Sequence, residues 1–354
     1  MTTTESTLQS RRRSTNRDPI MTLRDVTVTF DMPRGTATVL DSVDMTIERG
    51  SVLGVVGESG SGKSMFASAL LDAVVDPGVL SGNITYYPKN GDPVDVLDLS
   101  EERLKQFRCE AVSMVFQGAQ NSFNPTMTIR DHFIETLRAH NRDPETGMQR
   151  ARELLSDVYL DPERVLDSYP HELSGGMQQR SLIALSLILD PAVLVMDEPT
   201  AALDLLMQRA ITEMISDLQK KYNLTVIFIT HDLPLVSSLA DRLGVMYAFQ
   251  FVEQGPTEEM ILNAAHPYTR ALLRAVPNLD IPIAEMKPIE GDSPDSIDVP
   301  DGCAYHPRCP LATDECARDP PPFSDVDADH VVACYHWEQA ETEIPYSLED
   351  GGEE

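Results

Sequence analysis

The eight residues Gly57-Glu58-Ser59-Gly60-Ser61-Gly62-Lys63-Ser64 constrain this chain more than any other stretch. They fit G-x-x-x-x-G-K-[ST], follow the apolar run Val52–Val56 and precede a helical pattern. Glycines let backbone amides turn inward around phosphate oxygens, and a helix opening behind them presents its positive end. In that geometry Lys63 reaches the β- and γ-phosphates of a nucleotide, and the Ser64 hydroxyl binds Mg²⁺. The competing reading is a flexible Gly/Ser turn. A strand before the loop and a helix after it argue against that reading.

Two more apolar runs, Ala192–Met196 and Thr225–Ile229, resemble Val52–Val56. Apolar throughout, all three read as central strands of an α/β sheet covered on both faces. Each delivers a polar or glycine motif at its C-terminal end: Gly57 onward, Asp197-Glu198, and Thr230-His231. Ligands in such sheets bind beyond the carboxyl ends of the strands. Asp197 is therefore placed to hold Mg²⁺ through water, and Glu198 to polarise an attacking water. Alone, an acidic pair ending a strand is commonly just solvated; beside a phosphate loop it reads as catalytic. Leu173-Ser174-Gly175-Gly176-Met177-Gln178-Gln179-Arg180 opens another helical run, with Ser174 as its cap and glycine amides open to an anion. Residues 20–30 and 37–47 alternate in a β-like way, whereas 131–190, 205–222 and 234–240 look mainly helical.

Charge and hydropathy limit the partners. There are 57 acidic against 28 basic residues, a formal charge of −29, and the lysines are Lys63, Lys89, Lys105, Lys220, Lys221 and Lys287 alone. Nucleic-acid binding demands a basic footprint, so that class is excluded. Scarce lysine and abundant acid suggest a halophilic setting, where concentrated salt screens self-repulsion; a solvated surface is the plainer account. No run has the 18 or more apolar residues of a spanning helix, so a membrane role needs embedded partners. Residues 1–19 are polar, with three arginines and no apolar core, and read as a disordered tail rather than a signal peptide.

In order, these elements resemble the nucleotide-binding subunit of ABC transporters over residues 20–265. On that resemblance Walker A is Gly57–Ser64, the Q-loop glutamine is Gln117, the signature is Leu173–Gln178 and Walker B is Val193–Glu198. The D-loop is Ala202-Leu203-Asp204, and His231 is the γ-phosphate sensor. Met177 departs from the glutamine that many families place after LSGG, and Ala201-Ala202 replaces Ser-Ala; neither change removes a phosphate ligand. The family implies a P-loop NTPase fold with a RecA-like core, antiparallel β and helical subdomains (the latter about 118–190), and an ATPase using ATP and Mg²⁺. It further implies Glu198, His231 and Gln117 as catalytic residues, Mg²⁺ held through Ser64, Gln117 and Asp197, and Phe30 stacked on adenine. Ser174, Gly175, Gly176 and Met177 would touch the ATP of a second subunit. Non-transport relatives fit poorly. Only 111 positions separate Lys63 from Ser174, leaving no room for the coiled coil of DNA-repair types, and translation types carry two such domains. A redox- or metal-sensing regulatory ATPase stays open as a second role.

The stretches Phe116-Gln117-Gly118-Ala119-Gln120-Asn121-Ser122-Phe123-Asn124-Pro125, His266-Pro267-Tyr268-Thr269-Arg270 and Gly302-Cys303-Ala304-Tyr305-His306-Pro307-Arg308-Cys309-Pro310 resemble the oligopeptide/dipeptide importer subfamily. That implies a second ATPase chain (a heterodimer), two permeases, a solute-binding protein, and a peripheral place at the cytoplasmic face of the membrane. Relatives also carry nickel or sugars. A Pro/Asp/Ser-rich strap spans 281–300 within a C-terminal extension, 266–340, followed by an acidic tail, 341–354. Four of the five cysteines, Cys303, Cys309, Cys316 and Cys334, fall in that extension. A cytoplasmic ATPase keeps thiols reduced, and four thiolates suit a [4Fe–4S] cluster or tetrahedral zinc. The spacing lacks the paired C-x₂-C of a zinc ribbon, while His306, His330 and His336 keep zinc open; no metal at all is the third reading. The expectation is a structural cluster over 100 residues beyond Glu198, with no part in hydrolysis. Cys109 reads as an ordinary helix residue.

Overall fold

The structure, a computed structural model, describes residues 18–118, 122–201, 203–275, 289 and 291–346. Most of the expected N-terminal tail, Ala119 to Asn121, Ala202, residues 276–288 and 290 (nearly half of the expected 281–300 strap among them) and the last eight residues lie outside the described residues.

The apolar runs form strands because each can be buried on both sides. β3 (Val52–Val56), β7 (Val193–Asp197) and β8 (Thr225–Ile229) are buried at every position. Their side chains alternate between two cores. Val52, Val56, Leu194, Met196, Val226 and Phe228 enter one, and Leu53, Val55, Val193, Val195, Ile227 and Ile229 the other. That alternation is the period of two expected of a sheet covered on both faces.

These strands belong to an eight-stranded sheet of order β11-β12-β10-β9-β3-β8-β7-β6, with β6 at Val112–Val115, β9 at Arg242–Tyr247, β10 at Gln250–Pro256, β11 at Phe323–Asp327 and β12 at His330–Ala333. Pairings β6–β7, β7–β8, β3–β8 and β3–β9 are parallel, so the residues following β3, β6, β7 and β8 emerge along one edge. A second, antiparallel sheet has the order β2-β1-β4-β5: β1 Pro19–Met32, β2 Gly35–Glu48, β4 Gly78–Tyr86 and β5 Val94–Asp95. It closes the second core together with Phe66, Ala67 and Leu70 of the helix Lys63–Leu70.

Helices Ile129–Ala139, Pro144–Asp157, Pro162–Leu166 and Gly175–Ser186 make the expected helical region. Side-chain oxygens of Thr128, Asp143, Asp161 and Ser174 each accept from a first-turn amide, which fixes where these helices begin. Cys109 is not the helix residue expected. It adopts φ 78° beside an extended Arg108, and the helix Glu101–Glu110 breaks there.

The extension does not stand apart. β11 (Phe323–Asp327) and β12 (His330–Ala333) form a hairpin that adds to the main sheet through β10, with Glu253 opposite Val332 and Gln254 opposite Val331. Arg270 is buried, donating to the Ala264, Glu341 and Ile344 carbonyls and lying 4.5 Å from the Tyr346 ring centre. The chain is thus packed through Tyr346, beyond the expected start of the acidic tail.

Candidate active site

The loop Gly57–Ser64 is threaded between two other segments, which explains its glycines. A Cβ at Gly57 would lie 2.2 Å from the Met246 carbonyl oxygen, and Gly62 has φ 101° with the Val39 carbonyl 2.8 Å from where a Cβ would sit. Phe249, at the tip of the β9–β10 hairpin, donates its N–H to the Ser61 carbonyl at 3.0 Å. Lys63 Nζ donates to the carbonyls of Gly57 (2.8 Å) and Glu58 (2.7 Å), so the ammonium lies inside the curl of the loop. Burial pulls the Lys63 pKa below its ordinary value, opposed by the carboxylates of Glu198, Asp197 and Glu58.

Parallel pairing brings the ends of β7, β8 and β6 to this loop. Asp197 is buried, which raises its pKa, while a hydrogen bond from Ser64 and the charge of Lys63 act the other way. Its Oδ1 has no hydrogen-bond partner in the protein. Glu198 holds a left-handed backbone (φ 45°), uncommon for a non-glycine residue, with its N–H donating to the Ile229 carbonyl at 2.9 Å. Its carboxylate is held from both sides. Gln117 Nε2 donates to Oε2 at 3.0 Å, and His231 Nδ1 lies 3.1 Å from Oε1.

These groups line a cleft of about 570 Å³, the size of a nucleotide-binding pocket, walled by Ser59, Gly60, Gly62, Lys63, Ser64, Gln117, Glu198 and His231. Its apolar wall is Val39, Met65 and Phe249, which sequence reasoning missed. Phe30, expected at adenine, is not among the lining residues; its ring packs on Gly78, where a Cβ would fall 2.6 Å from Cζ. Ser174, Gly175, Gly176 and Met177 do not line this cleft either. Ser174 is exposed at the start of its helix, accepting the Met177 N–H at 3.3 Å, and Gly176 packs beneath Met207.

A phosphate loop and a strand-end pair of carboxylates on one sheet edge, with a Ser174-capped helix start outside the cleft, are accompanied by clear similarity to known proteins. Residues 40–201 match the ABC transporter family model, and residues 252–316 the oligopeptide/dipeptide transporter C-terminal region. A dipeptide transport ATP-binding protein of Caldanaerobacter subterraneus subsp. tengcongensis is 39% identical over 90% of this chain and 98% of its own length. The chain belongs to the ATP-binding subunits of ABC transporters, of the oligopeptide/dipeptide type. The oligopeptide transport ATP-binding protein of Escherichia coli is 37% identical, over 86% of this chain and 89% of its own length. Among solved structures, the ATP-binding cassette MJ0796, a dimer bound to ADP and Pi, superposes with a TM-score of 0.58 at 27% identity. That superposition covers 67% of this chain and 98% of the cassette. Membership of this family makes the chain an ATPase.

The extension meets this site through Arg308. Arg308, next to Cys309, forms a two-pronged ion pair with Glu58 of the phosphate loop, at 2.8 and 3.1 Å. Cys303, Cys309, Cys316 and Cys334 line one small cavity of about 10 Å³, with His266, His306 and His336 at its walls. Burial pushes the Cys309 thiol up to about 11 and the Cys334 thiol up to about 12. Among the described residues, no three His, Cys, Asp or Glu side chains stand in a metal-holding arrangement. His330, kept as a zinc candidate, lies instead in β12 with Nε2 2.8 Å from the buried Glu253 carboxylate.

Proposed function

We propose that this chain hydrolyses ATP to power a membrane importer of di- and oligopeptides, working at the cytoplasmic face of the membrane. The observation that carries the hydrolytic reading is the Glu198 carboxylate, fixed between Gln117 and His231 at the mouth of the Lys63 loop. Similarity to dipeptide and oligopeptide transport proteins across about nine-tenths of the chain supports the cargo class.

The chemistry follows from the residues. Amides of the Gly57–Ser64 loop other than that of Glu58, with the Lys63 ammonium, bind the β- and γ-phosphates, and Val39 and Phe249 offer apolar surface to the base. Asp197 Oδ1, buried and accepting no hydrogen bond, together with the Ser64 hydroxyl and the Gln117 amide oxygen, is an oxygen donor set suited to Mg²⁺. An ion held by these oxygens would supply neutralisation of the charge that develops on the phosphate. Glu198 orients the attacking water and takes its proton; His231, on the far side of that carboxylate, contacts the γ-phosphate. Ser174, Gly175, Gly176 and Met177 complete the site of a second ATPase chain in a heterodimer. Closure of the pair drives two permease subunits that receive peptide from a solute-binding protein.

We further propose that Cys303, Cys309, Cys316 and Cys334 hold a structural [4Fe–4S] cluster. What supports it is the chemistry of four soft thiols lining one cavity walled by Tyr305, Pro321 and Tyr335; that cavity, about 10 Å³ as it stands, would have to open for the thiols to take up a cluster. Anaerobic protein should then contain iron and sulfide in comparable amounts and lose them in Cys316→Ser. Stoichiometric zinc without sulfide, or four freely alkylated thiols, contradicts the cluster. The surplus of 29 negative charges supports a salt-rich working environment.

Reconstitution tests the transport reading. With its two permeases in vesicles, ATP turnover should rise when peptide-loaded solute-binding protein is added. Stimulation by a non-peptide solute alone would overturn the cargo assignment.

A further inference from the structure

Three side chains from the extension meet on Glu58, the second residue of the phosphate loop. The Glu58 N–H donates to the Tyr268 hydroxyl at 2.8 Å. Its carboxylate accepts from Arg308 through both terminal nitrogens, at 2.8 and 3.1 Å, and from the Ser293 hydroxyl at 2.9 Å. The Arg308 side chain is only 7% exposed and that of Glu58 23%, so water screens this pair less than a surface pair. The guanidinium also donates to the Tyr247 hydroxyl at 3.3 Å and lies 5.9 Å from the Tyr305 ring centre. Tyr247, Tyr268 and Tyr305 pack on one another with ring centres 4.5 to 5.4 Å apart, so the clamp is rigidly backed.

Glu58 is a liability in a loop that must accept a polyphosphate. Its backbone carbonyl holds the Lys63 ammonium at 2.7 Å, and its carboxylate charge is felt at that ammonium. Left uncompensated, the carboxylate would repel phosphate and compete for Lys63. Arg308 cancels that charge, and Tyr268 fixes the second amide of the loop. We propose that Arg308 and Tyr268 are positioning residues for the nucleotide site, through which the C-terminal extension sets the affinity for ATP. The inference rests on reading Gly57–Ser64 as the ATP site. A clamp that merely fastened the extension would make the same contacts but would leave nucleotide affinity indifferent to the charge on residue 58.

The test is a charge-rescue cycle on the full chain. In Arg308→Gln the Glu58 carboxylate loses its cationic partner, keeping only the Ser293 hydroxyl, and MgATP affinity should fall roughly tenfold or more, with KM rising in step and kcat changing much less. Removing the offending charge as well, in Glu58→Gln/Arg308→Gln, should return affinity to within about threefold of wild type. Should Arg308→Gln open the extension to protease, Tyr268→Phe decides in its place. It deletes one hydroxyl and should raise KM for ATP about threefold or more. Wild-type protein that fails to bind MgATP removes the nucleotide reading itself. Wild type that binds while the double variant stays as weak as Arg308→Gln, or Tyr268→Phe with unchanged KM, overturns the positioning role alone.

Discussion

Replacing His330 with phenylalanine should detach the extension's hairpin without touching the nucleotide cleft. Glu253 is fully buried on β10, where its carboxylate accepts the N–H groups of Ala265 (2.6 Å) and His266 (3.0 Å) and faces His330 Nε2 at 2.8 Å. Phenylalanine keeps most of the ring that packs over Gly255 but loses the nitrogen. A hydrogen bond to a charged group contributes about 1.5–3 kcal/mol, and stranding one member of a buried pair costs about 3–5 kcal/mol. About 3 kcal/mol is therefore expected. The registered ladder between β10 and β12 is only two residue pairs long, so this loss should appear as local opening. Hydrogen exchange of the amides in 323–333, read by mass spectrometry, should accelerate about a hundredfold, while amides in β7 and β8 change little. Exchange within about threefold of wild type would refute the argument that His330 and Glu253 hold the extension in place.

Two other predictions follow from titration and charge. Burial moves the His266 pKa from the usual 6.5 down to about 4, so above pH 6.5 it is neutral both folded and unfolded. As pH falls toward 4 the unfolded chain takes up the proton first, and roughly 3 kcal/mol of stability is lost. His266→Asn, which retains a side-chain cap for the Tyr268 N–H, should flatten that loss in thermal melts between pH 4.5 and 7; an unchanged slope contradicts it. The net charge of −29 predicts a midpoint that rises by several degrees from low to molar KCl as the Debye length shrinks to about 3 Å. A flat or falling midpoint counts against the salt-rich setting.

Much of the site was legible because the sheet is parallel. β3 and β8 run over the residues read from their apolar patterns, and β7 is offset by one. Once such strands pair, their following motifs must share an edge, so Gly57, Asp197, Glu198 and His231 could be grouped without coordinates. What stayed hidden depends on distant pairings. Phe249 reaches the cleft because Ala248 and Phe249 both take left-handed conformations (φ 45° and 72°) in a turn that contains no glycine to announce it. Glu58 and Arg308 lie 250 positions apart, and nothing local in either stretch points to the other. The extension is short and rich in Pro and Asp, so its anchoring cannot be read from its composition. Strand pairing, the buried Arg270 and the Glu253–His330 contact hold it in ways that composition does not register.

The central claim is that Glu198, and not the phosphate loop, supplies the hydrolytic step. Glu198→Gln keeps the shape of the side chain and leaves the contacts of Lys63, at 2.8 and 2.7 Å, untouched. Turnover and nucleotide retention should be measured together on the purified variant. The account predicts MgATP bound at wild-type affinity with turnover reduced by a factor of about 100 or more, as expected on losing a general base. Turnover close to wild type, or loss of MgATP binding along with turnover, would contradict it.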